Sequence, residues 1–355
     1  MDHAIQIEIN VFSAIDIFSC TTAFMLGLLF LTSQSDNKRA NLFLGLSLWS
    51  LAGEVLSVLM ESVEAGNSFI VQTSLFTIPF LFFYINNTVK NANNPWLFLL
   101  LLPGLLFNLL PWVSEWVEYF EYLFNITLLC AILFVLKRHK ERVNNFYSEL
   151  ENKTLKWMRV IVFIFLGFHL LWIIEDLIAI QHERVIEYFA DASGLLTFFM
   201  IFWIGHNGFS QSEIFRQKLF AFQVDERQSA VLHTESTITH DSEIYSKLCQ
   251  YIREEELFAN PKLNLRILSQ SFKVNEKEVS RLINQHSQGN FYQFINQFRV
   301  EAFKTLLHSD KARQLSLLGL AEEAGFNSKS TFYTAFKTFE GMTPKQYELS
   351  VKKSE

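Results

Sequence analysis

The chain has 355 residues, of which half are hydrophobic and 37 are Phe, and it carries a net charge of −6. Its mean hydropathy is positive, at +0.18, which disfavours a wholly soluble protein of this length. The charge is uneven, because residues 261–355 hold 14 Lys and Arg against 9 Asp and Glu, so that end carries +5 and the remainder −11.

The first two-thirds of the chain consists of apolar runs separated by short polar loops. Each run is close to the ~20 residues that a helix needs to cross a bilayer. We therefore predict an all-α chain in which residues 1–206 form a bundle of seven transmembrane helices. The segments are 10–32, 41–60, 68–89, 95–113, 116–136, 157–180 and 186–206. Pro103 and Pro111 fall within the fourth, where membrane helices accept proline with a kink.

The basic residues of the loops predict the orientation. Lys38, Arg39 and Lys90 lie in loops on one side, together with a cluster of basic residues at 137–156. The opposite side has only Arg184. Positive residues stay in the cytoplasm, so we predict an external N-terminus and a cytoplasmic C-terminal domain in a bacterial inner membrane.

Ionisable residues fall within the predicted membrane helices, where they are costly and often functional. The positions considered for signal sensing are Asp16, Glu54, His169, Glu175, Asp176 and Asp191. Under the predicted orientation the carboxylates lie in the outer halves of their helices and His169 lies near the midplane. One interpretation is ordinary interfacial placement. The others are an acidic cavity for a cationic ligand or protons, and an apolar ligand held among aromatic side chains.

Residues 207–244 are predicted to link the two parts. Their first half has the pattern of a short amphipathic helix, and their second half is polar and aperiodic, which indicates a flexible tether. Cys20, Cys130 and Cys249 are widely spaced and suggest neither disulfides nor a metal site. We find no phosphate-binding loop and no catalytic motif, so we expect no enzyme activity and no cofactor.

Residues 263–286 have the pattern of a helix, a turn and a second helix. The turn is predicted at Lys273-Val274-Asn275, and the second helix at 276–286 has an apolar inward face. Outward residues suited to base edges and phosphates are Lys277, Ser280, Arg281 and Asn284. A solvated helix face is the alternative for each of them. Asn290 is predicted to cap a long following helix, whose buried stripe is Phe294, Ile295, Phe298, Ala302 and Leu306.

Residues 319–344 repeat that pattern. Gly325 is placed where the chain must turn with a left-handed backbone, and Asn327 and Ser328 are placed to cap the next helix. The apolar face of that helix is predicted from the spacing of Phe332, Phe336 and Phe339. Its opposite face carries Lys329, Ser330, Tyr333, Thr334 and Lys337. Such a helix can enter a DNA major groove.

Residues 245–350 resemble AraC/XylS-type transcription regulators. The resemblance rests on an alanine-containing helix, Gly-Phe, Ser-Lys-Ser-Thr-Phe, Phe-Lys and Gly-x-Thr-Pro followed by Tyr347. It departs from the family at Tyr333, Thr334 and Glu348. The family often has arginine one or two positions after the Phe332 equivalent and directly after the final tyrosine, so these differences affect which bases or phosphates the second helix reads. The resemblance implies two helix-turn-helix units whose reading helices lie one DNA turn apart, roughly 34 Å, and binding to paired sites as a homodimer.

These observations predict three parts: a membrane sensor domain (1–206), a juxtamembrane linker (207–244) and an AraC-like DNA-binding domain (245–355). The expected function is that of a membrane-embedded one-component transcription regulator. Its expected partners are promoter DNA, the lipid bilayer and an unidentified signal ligand. The alternative is a membrane transporter or enzyme with a regulatory DNA-binding tail.

Overall fold

The computed structural model describes residues 11–33, 37–61, 73–90, 94–109, 117–150, 153–178, 183–214, 235–287 and 289–354. These residues are almost entirely helical and contain no β-strand, as an all-α chain requires. The contacts divide the chain into two compact units. The first comprises residues 1–137 and 155–223, and the second comprises residues 138–154 and 224–355.

Seven α-helices lie within the described residues of the first unit. They are α1 (Val11–Thr32), α2 (Lys38–Glu61), α3 (Ser74–Lys90), α4 (Leu102–Leu109), α5 (Val117–Phe146, whose last turns belong to the second unit), α6 (Lys156–Ile178) and α7 (Glu183–Ile214). A 3-10 helix at Pro95–Leu101 precedes α4. Small residues let α1 and α2 approach closely, since a Cβ at Gly45 would lie 2.8 Å from the carbonyl oxygen of Gly27.

The prediction of seven membrane-spanning helices needs correction. Within the part of the chain that the structure describes, four helices are long and apolar enough to cross a bilayer: Val11–Thr32, Lys38–Met60, Tyr119–Phe146 and Lys156–Ile174. Two other apolar stretches, Ser74–Val89 and Pro95–Leu109, are shorter. In the second of these, the 3-10 turns give way to a short α-helix beside Pro103, which has no backbone N–H to donate.

In the second unit, the described residues form seven further α-helices. They are α8 (Glu235–Glu254), α9 (Leu265–Phe272), α10 (Glu276–His286), α11 (Phe291–Leu307), α12 (Leu317–Glu323), α13 (Lys329–Glu340) and α14 (Pro344–Ser354), with short 3-10 turns at Leu257–Ala259 and Asp310–Arg313. The predicted linker is helical from residue 235, rather than flexible to residue 244. Its residues 215–234 lie outside the described residues.

The second unit also includes residues 138–154, which come between α5 and α6 in the chain. The sequence-based boundaries placed this stretch in the sensor domain, because it is continuous with apolar helices on both sides. The contacts instead place it with the helix-turn-helix region. Tyr147 forms a backbone bridge with Asn264, the Ser148 hydroxyl donates to the Leu263 carbonyl oxygen, and the Glu149 carboxylate accepts from the Thr331 hydroxyl.

Candidate nucleic-acid interface

The first helix-turn-helix unit is α9 and α10, with bounds that match the predicted turn. Asn264 begins α9 by accepting a hydrogen bond from the Ile267 amide at 3.0 Å. Lys273 ends it in a left-handed conformation, with φ of 57°. Asn275 then begins α10 and accepts from the Lys277 amide at 2.9 Å. Each asparagine satisfies a backbone donor that the helix itself leaves free.

The second unit is α12 and α13, and its turn depends on Gly325. This glycine has φ of +93°, as predicted, and a Cβ there would lie 2.3 Å from the carbonyl oxygen of Phe258. Both the backbone conformation and the close approach therefore exclude a side chain. Ser328 caps α13 by accepting from the Thr331 amide at 3.1 Å, and Gly341 ends the helix with φ of 71°.

The apolar face of α13 is set by Phe332 and Phe336, which are fully buried. They pack against Phe303 of α11, with ring centroids 4.7 and 5.4 Å away. The prediction that Phe339 shares this face is wrong, since it is 37% exposed. Phe339 is seven residues after Phe332 and lies in the last turn of α13. The middle of the buried face is instead occupied by Ala335, which is buried.

Helix α11 joins the two units. Asn290 caps it as predicted, and with Gln293 it forms a reciprocal pair in which each side chain bonds the other's backbone at 3.1 Å. Phe294, Ile295 and Phe298 of the predicted stripe are buried. Ala302 and Leu306 are half-buried and pack against the core of the second unit.

The predicted reading residues of α10 differ in accessibility. Lys277 and Asn284 are exposed, whereas Ser280 and Arg281 are half-buried. Arg281 binds both carboxylate oxygens of Asp241 in α8, at 2.6 and 2.8 Å, and also pairs with Glu278. Hydrogen bonds from Arg281 to Asp241, and then to Glu278, raise the pKa of Arg281 above its usual range.

The predicted reading residues of α13 form a more open face. Lys329, Ser330, Thr334 and Lys337 are exposed, and Tyr333 is half-buried. The Lys329 ammonium lies 5.7 Å from the centre of the Tyr333 ring. This helix therefore presents two cations and two hydroxyls on one accessible surface, which suits phosphate and base contacts.

Asp16, Glu54 and Asp191 are predicted sensing carboxylates whose side chains the structure describes. Glu54 accepts a short hydrogen bond from Thr77 of α3 and lies near Glu121 of α5. Asp16 of α1 lies near Asp191 of α7, and its Oδ1 would be 2.9 Å from a Cβ at Gly194. Among the described residues, the structure thus places a polar contact of Glu54 between α2 and α3 and brings Asp16 of α1 near Asp191 of α7.

The other predicted sensing residues are His169, Glu175 and Asp176. His169 bonds the carbonyl oxygen of Phe165 in its own helix at 2.8 Å, and its ring packs edge-on near Tyr122. The side chains of Glu175 and Asp176 lie outside the described residues.

Sequence reasoning missed the polar residues at the centre of the second unit. Arg299 of α11 is fully buried, as is Asn296. Their position on the inner face of an otherwise apolar helix was the available signal, because a buried charge requires partners. Ser148 and Glu149 are also buried and bond to this region, but no sequence pattern connects them to it.

A sequence-family model described as a helix-turn-helix domain matches residues 268–349. The chain is 30% identical over 116 residues to uncharacterized HTH-type transcriptional regulators of Staphylococcus aureus, among them those of strains COL, MSSA476 and N315. The match covers 32% of this chain and 14% of each of those relatives. No solved structure matches the chain significantly. Residues 268–349 are therefore an AraC-type helix-turn-helix domain, homologous to those of transcriptional regulators.

Proposed function

We propose that this protein is a membrane-embedded transcription regulator, in which the first unit receives a signal and the second binds promoter DNA. The observation that carries the DNA-binding part is the pair of helix-turn-helix units joined by α11. Exposed polar and cationic residues cover the outer face of α13, and α10 offers Lys277 and Asn284. Homology to HTH-type transcriptional regulators supports the same role.

Membrane embedding is supported by the large apolar side chains that the long helices expose. Phe18 and Phe24 of α1 are 63% and 52% exposed, and Phe163 of α6 is 60% exposed. Only 22% of the most apolar stretch of α1 is buried within the protein. Apolar surface of this extent is unfavourable in water and suited to lipid. The DNA-binding unit would then lie on the cytoplasmic side, where the genome is accessible.

Signal reception is proposed for the polar contacts between helices of the first unit. The Glu54 side chain of α2 is hydrogen-bonded to α3, and Asp16 lies beside Asp191. Movement of these helices would therefore change the environment of partly buried carboxylates. A cation or protons bound there would shift the population of helix arrangements only if the two arrangements bound them unequally. Dimeric binding to paired promoter sites remains a prediction from the family resemblance.

The test is to express the full chain in bacteria, wash the membranes with alkaline carbonate, and sequence the DNA that crosslinks to the protein. We expect the protein in the washed membranes and enrichment of a small set of promoters. A Lys329→Ala, Lys337→Ala variant should stay in the membrane and lose the enrichment, since both side chains are exposed. Release into the wash would refute membrane embedding, and equal enrichment by the variant would refute the DNA-reading role of α13.

A promoter reporter built on an enriched sequence would test signal reception. Glu54→Gln and Asp191→Asn should alter its response to external pH or cations while membrane insertion is unchanged. Glu141→Gln, at an exposed position on α5, is the matched control. If both variants respond like the parent under every condition, these carboxylates have no part in sensing.

A further inference from the structure

The short segment Tyr147–Glu149, which we call the docking segment, follows α5 in the chain but packs within the DNA-binding unit. Tyr147 forms an antiparallel backbone bridge with Asn264, the residue that caps α9. The Ser148 hydroxyl donates to the carbonyl oxygen of Leu263 at 2.6 Å. The docking segment thus contacts the start of the first helix-turn-helix unit.

The same segment is bound by the helix that joins the two units. Asn296 of α11 donates to the Ser148 carbonyl oxygen at 3.0 Å. Arg299 donates to that carbonyl oxygen at 3.3 Å and to the Ser148 hydroxyl at 3.1 Å. All three residues are fully buried, so water cannot replace these bonds, and each broken bond would leave a buried polar group unsatisfied.

The contacts of Arg299 matter more than those of Asn296, because a buried charged side chain requires hydrogen-bond partners. Burial lowers the pKa of its guanidinium to about 10, while nearby Glu149 acts in the opposite direction. Arg299 therefore stays cationic at neutral pH inside the unit. Its other hydrogen bonds go to the carbonyl oxygens of Phe258 and Asn260, at 2.8 and 2.9 Å, and to Asn296 Oδ1 at 3.2 Å.

Glu149 extends the contact to the second helix-turn-helix unit. Its Oε1 accepts a hydrogen bond from the Thr331 hydroxyl at 2.5 Å and one from the Ser328 hydroxyl at 3.4 Å. Ser328 is the capping residue of α13. A carboxylate at this end offsets the partial positive charge of the helix N-terminus, and that positive charge would otherwise attract DNA phosphate.

We propose that the docking segment is an intramolecular ligand of the DNA-binding unit, which clamps both helix-turn-helix units together and lowers their affinity for promoter DNA until it is released. The proposal rests on the proposed function, since it requires that the unit bind DNA. Two physical effects act in the same direction. The clamp limits adjustment of α10 and α13 to successive grooves, and the Glu149 carboxylate reduces the electrostatic attraction of α13 for phosphate.

Docking itself can be tested without any DNA. In a full-length background whose three native cysteines are changed to serine, Tyr147→Cys and Asn264→Cys should form a disulfide upon mild oxidation in membranes. Residues paired across an antiparallel bridge have Cα atoms about 4.5–5.5 Å apart, within the range that a disulfide spans. The control pair, Glu141→Cys with Asn264→Cys, should not crosslink. Equal crosslinking of both pairs, or none at Tyr147, would overturn the docking.

The regulatory role is tested by measuring how tightly the full chain, held in lipid nanodiscs, binds a promoter fragment. The fragment is one of the promoter sequences enriched when DNA is crosslinked to the protein in bacteria. Glu149→Gln removes the charge and keeps the shape, so its Kd should fall about threefold or more, while exposed Glu141→Gln should match the parent. The oxidised Tyr147→Cys, Asn264→Cys protein should bind more weakly than its reduced form.

The outcomes separate the two proposals. If the parent protein binds no promoter fragment, the proposed function fails. If the parent binds, but Glu149→Gln binds equally or more weakly, or oxidation of the cysteine pair leaves the Kd unchanged, the docking segment is not an inhibitory ligand. The oxidised pair gives an answer even if Glu149→Gln fails to fold.

Discussion

Replacing Arg281 by alanine distinguishes a DNA contact from an internal ion pair. In the structure Arg281 binds Asp241 through two hydrogen bonds, of 2.6 and 2.8 Å, and thereby joins α10 to α8. The Asp241 side chain is only 7% exposed, and that of Arg281 is 28% exposed. Loss of the guanidinium would leave a nearly buried carboxylate without this partner.

The cost follows from that burial. Hydrogen bonds to charged groups contribute about 1.5–3 kcal/mol, and the partial exposure of Arg281 favours the lower end of that range. We expect Arg281→Ala to destabilise the contact of α8 with α10 by about 2 kcal/mol. Helix α8 should nevertheless stay folded against the unit, because Leu248 and Ile252 remain fully buried.

The assay is hydrogen exchange of α8 and α10 amides in the full chain, which reports local stability without assuming two-state unfolding of a two-unit protein. A double-mutant cycle with Asp241→Asn should give a coupling energy of about 1–2 kcal/mol. Lys247→Ala is the control, since its pair with Glu243 is exposed on the same helix and should contribute at most about 0.5 kcal/mol.

Promoter affinity of the same variants then assigns the role. If Arg281 exchanges between Asp241 and DNA, Asp241→Asn should tighten binding and Arg281→Ala should weaken it. If both variants leave affinity unchanged, Arg281 is an internal ion-pair partner only. A coupling energy below about 0.5 kcal/mol would instead refute the structural pair.

Three further predictions concern local stability, each measured by hydrogen exchange of the helix involved. Gly325→Ala should cost about 2–5 kcal/mol, from a left-handed backbone and a clash with the Phe258 carbonyl; native protection of α12 and α13 would contradict this. Asn290→Ala should weaken the first turn of α11 by about 1 kcal/mol, and Asn290→Ser should restore most of it. Hydrogen bonds from Lys345 and Lys352 lower the pKa of Glu348. The ionised Glu348 therefore stabilises α14 at neutral pH, and this stabilisation disappears as the pH falls through the lowered pKa. Glu348→Gln should therefore destabilise α14 by about 0.5 kcal/mol at pH 7 and leave it unchanged in strong acid.

The helix-turn-helix region was predictable because its determinants are local. The bounds of α10, the cap at Asn290 and the left-handed turn at Gly325 each follow from residues within a few positions in the chain. The outward face of α13 followed from helical periodicity. Phe339 was misplaced because periodicity alone does not say where along a helix the packing partner ends.

The apolar part of the chain was predictable in composition, but not in the number of described helices that are long enough to span a bilayer. Hydropathy finds apolar segments, yet α3 and the Pro95–Leu109 stretch are shorter than the four helices that could span a bilayer. The grouping of Asp16 with Asp191, and of Glu54 with Thr77, depends on which helices are neighbours. Sequence order does not determine that.

The DNA-binding unit is also discontinuous in sequence, and this affects how a signal could reach it. The chain crosses between the two units at 137/138, at 154/155 and at 223/224. Only the last crossing belongs to the predicted linker. Residues 138–154 include the end of α5 and precede α6 in the chain, and their docking segment bonds α11 and α13. A fragment that begins at residue 245 retains both helix-turn-helix units but lacks Ser148 and Glu149, which bond Arg299 and Thr331. DNA binding by such a fragment would thus report the unit without its docking segment, rather than the state present in the whole protein.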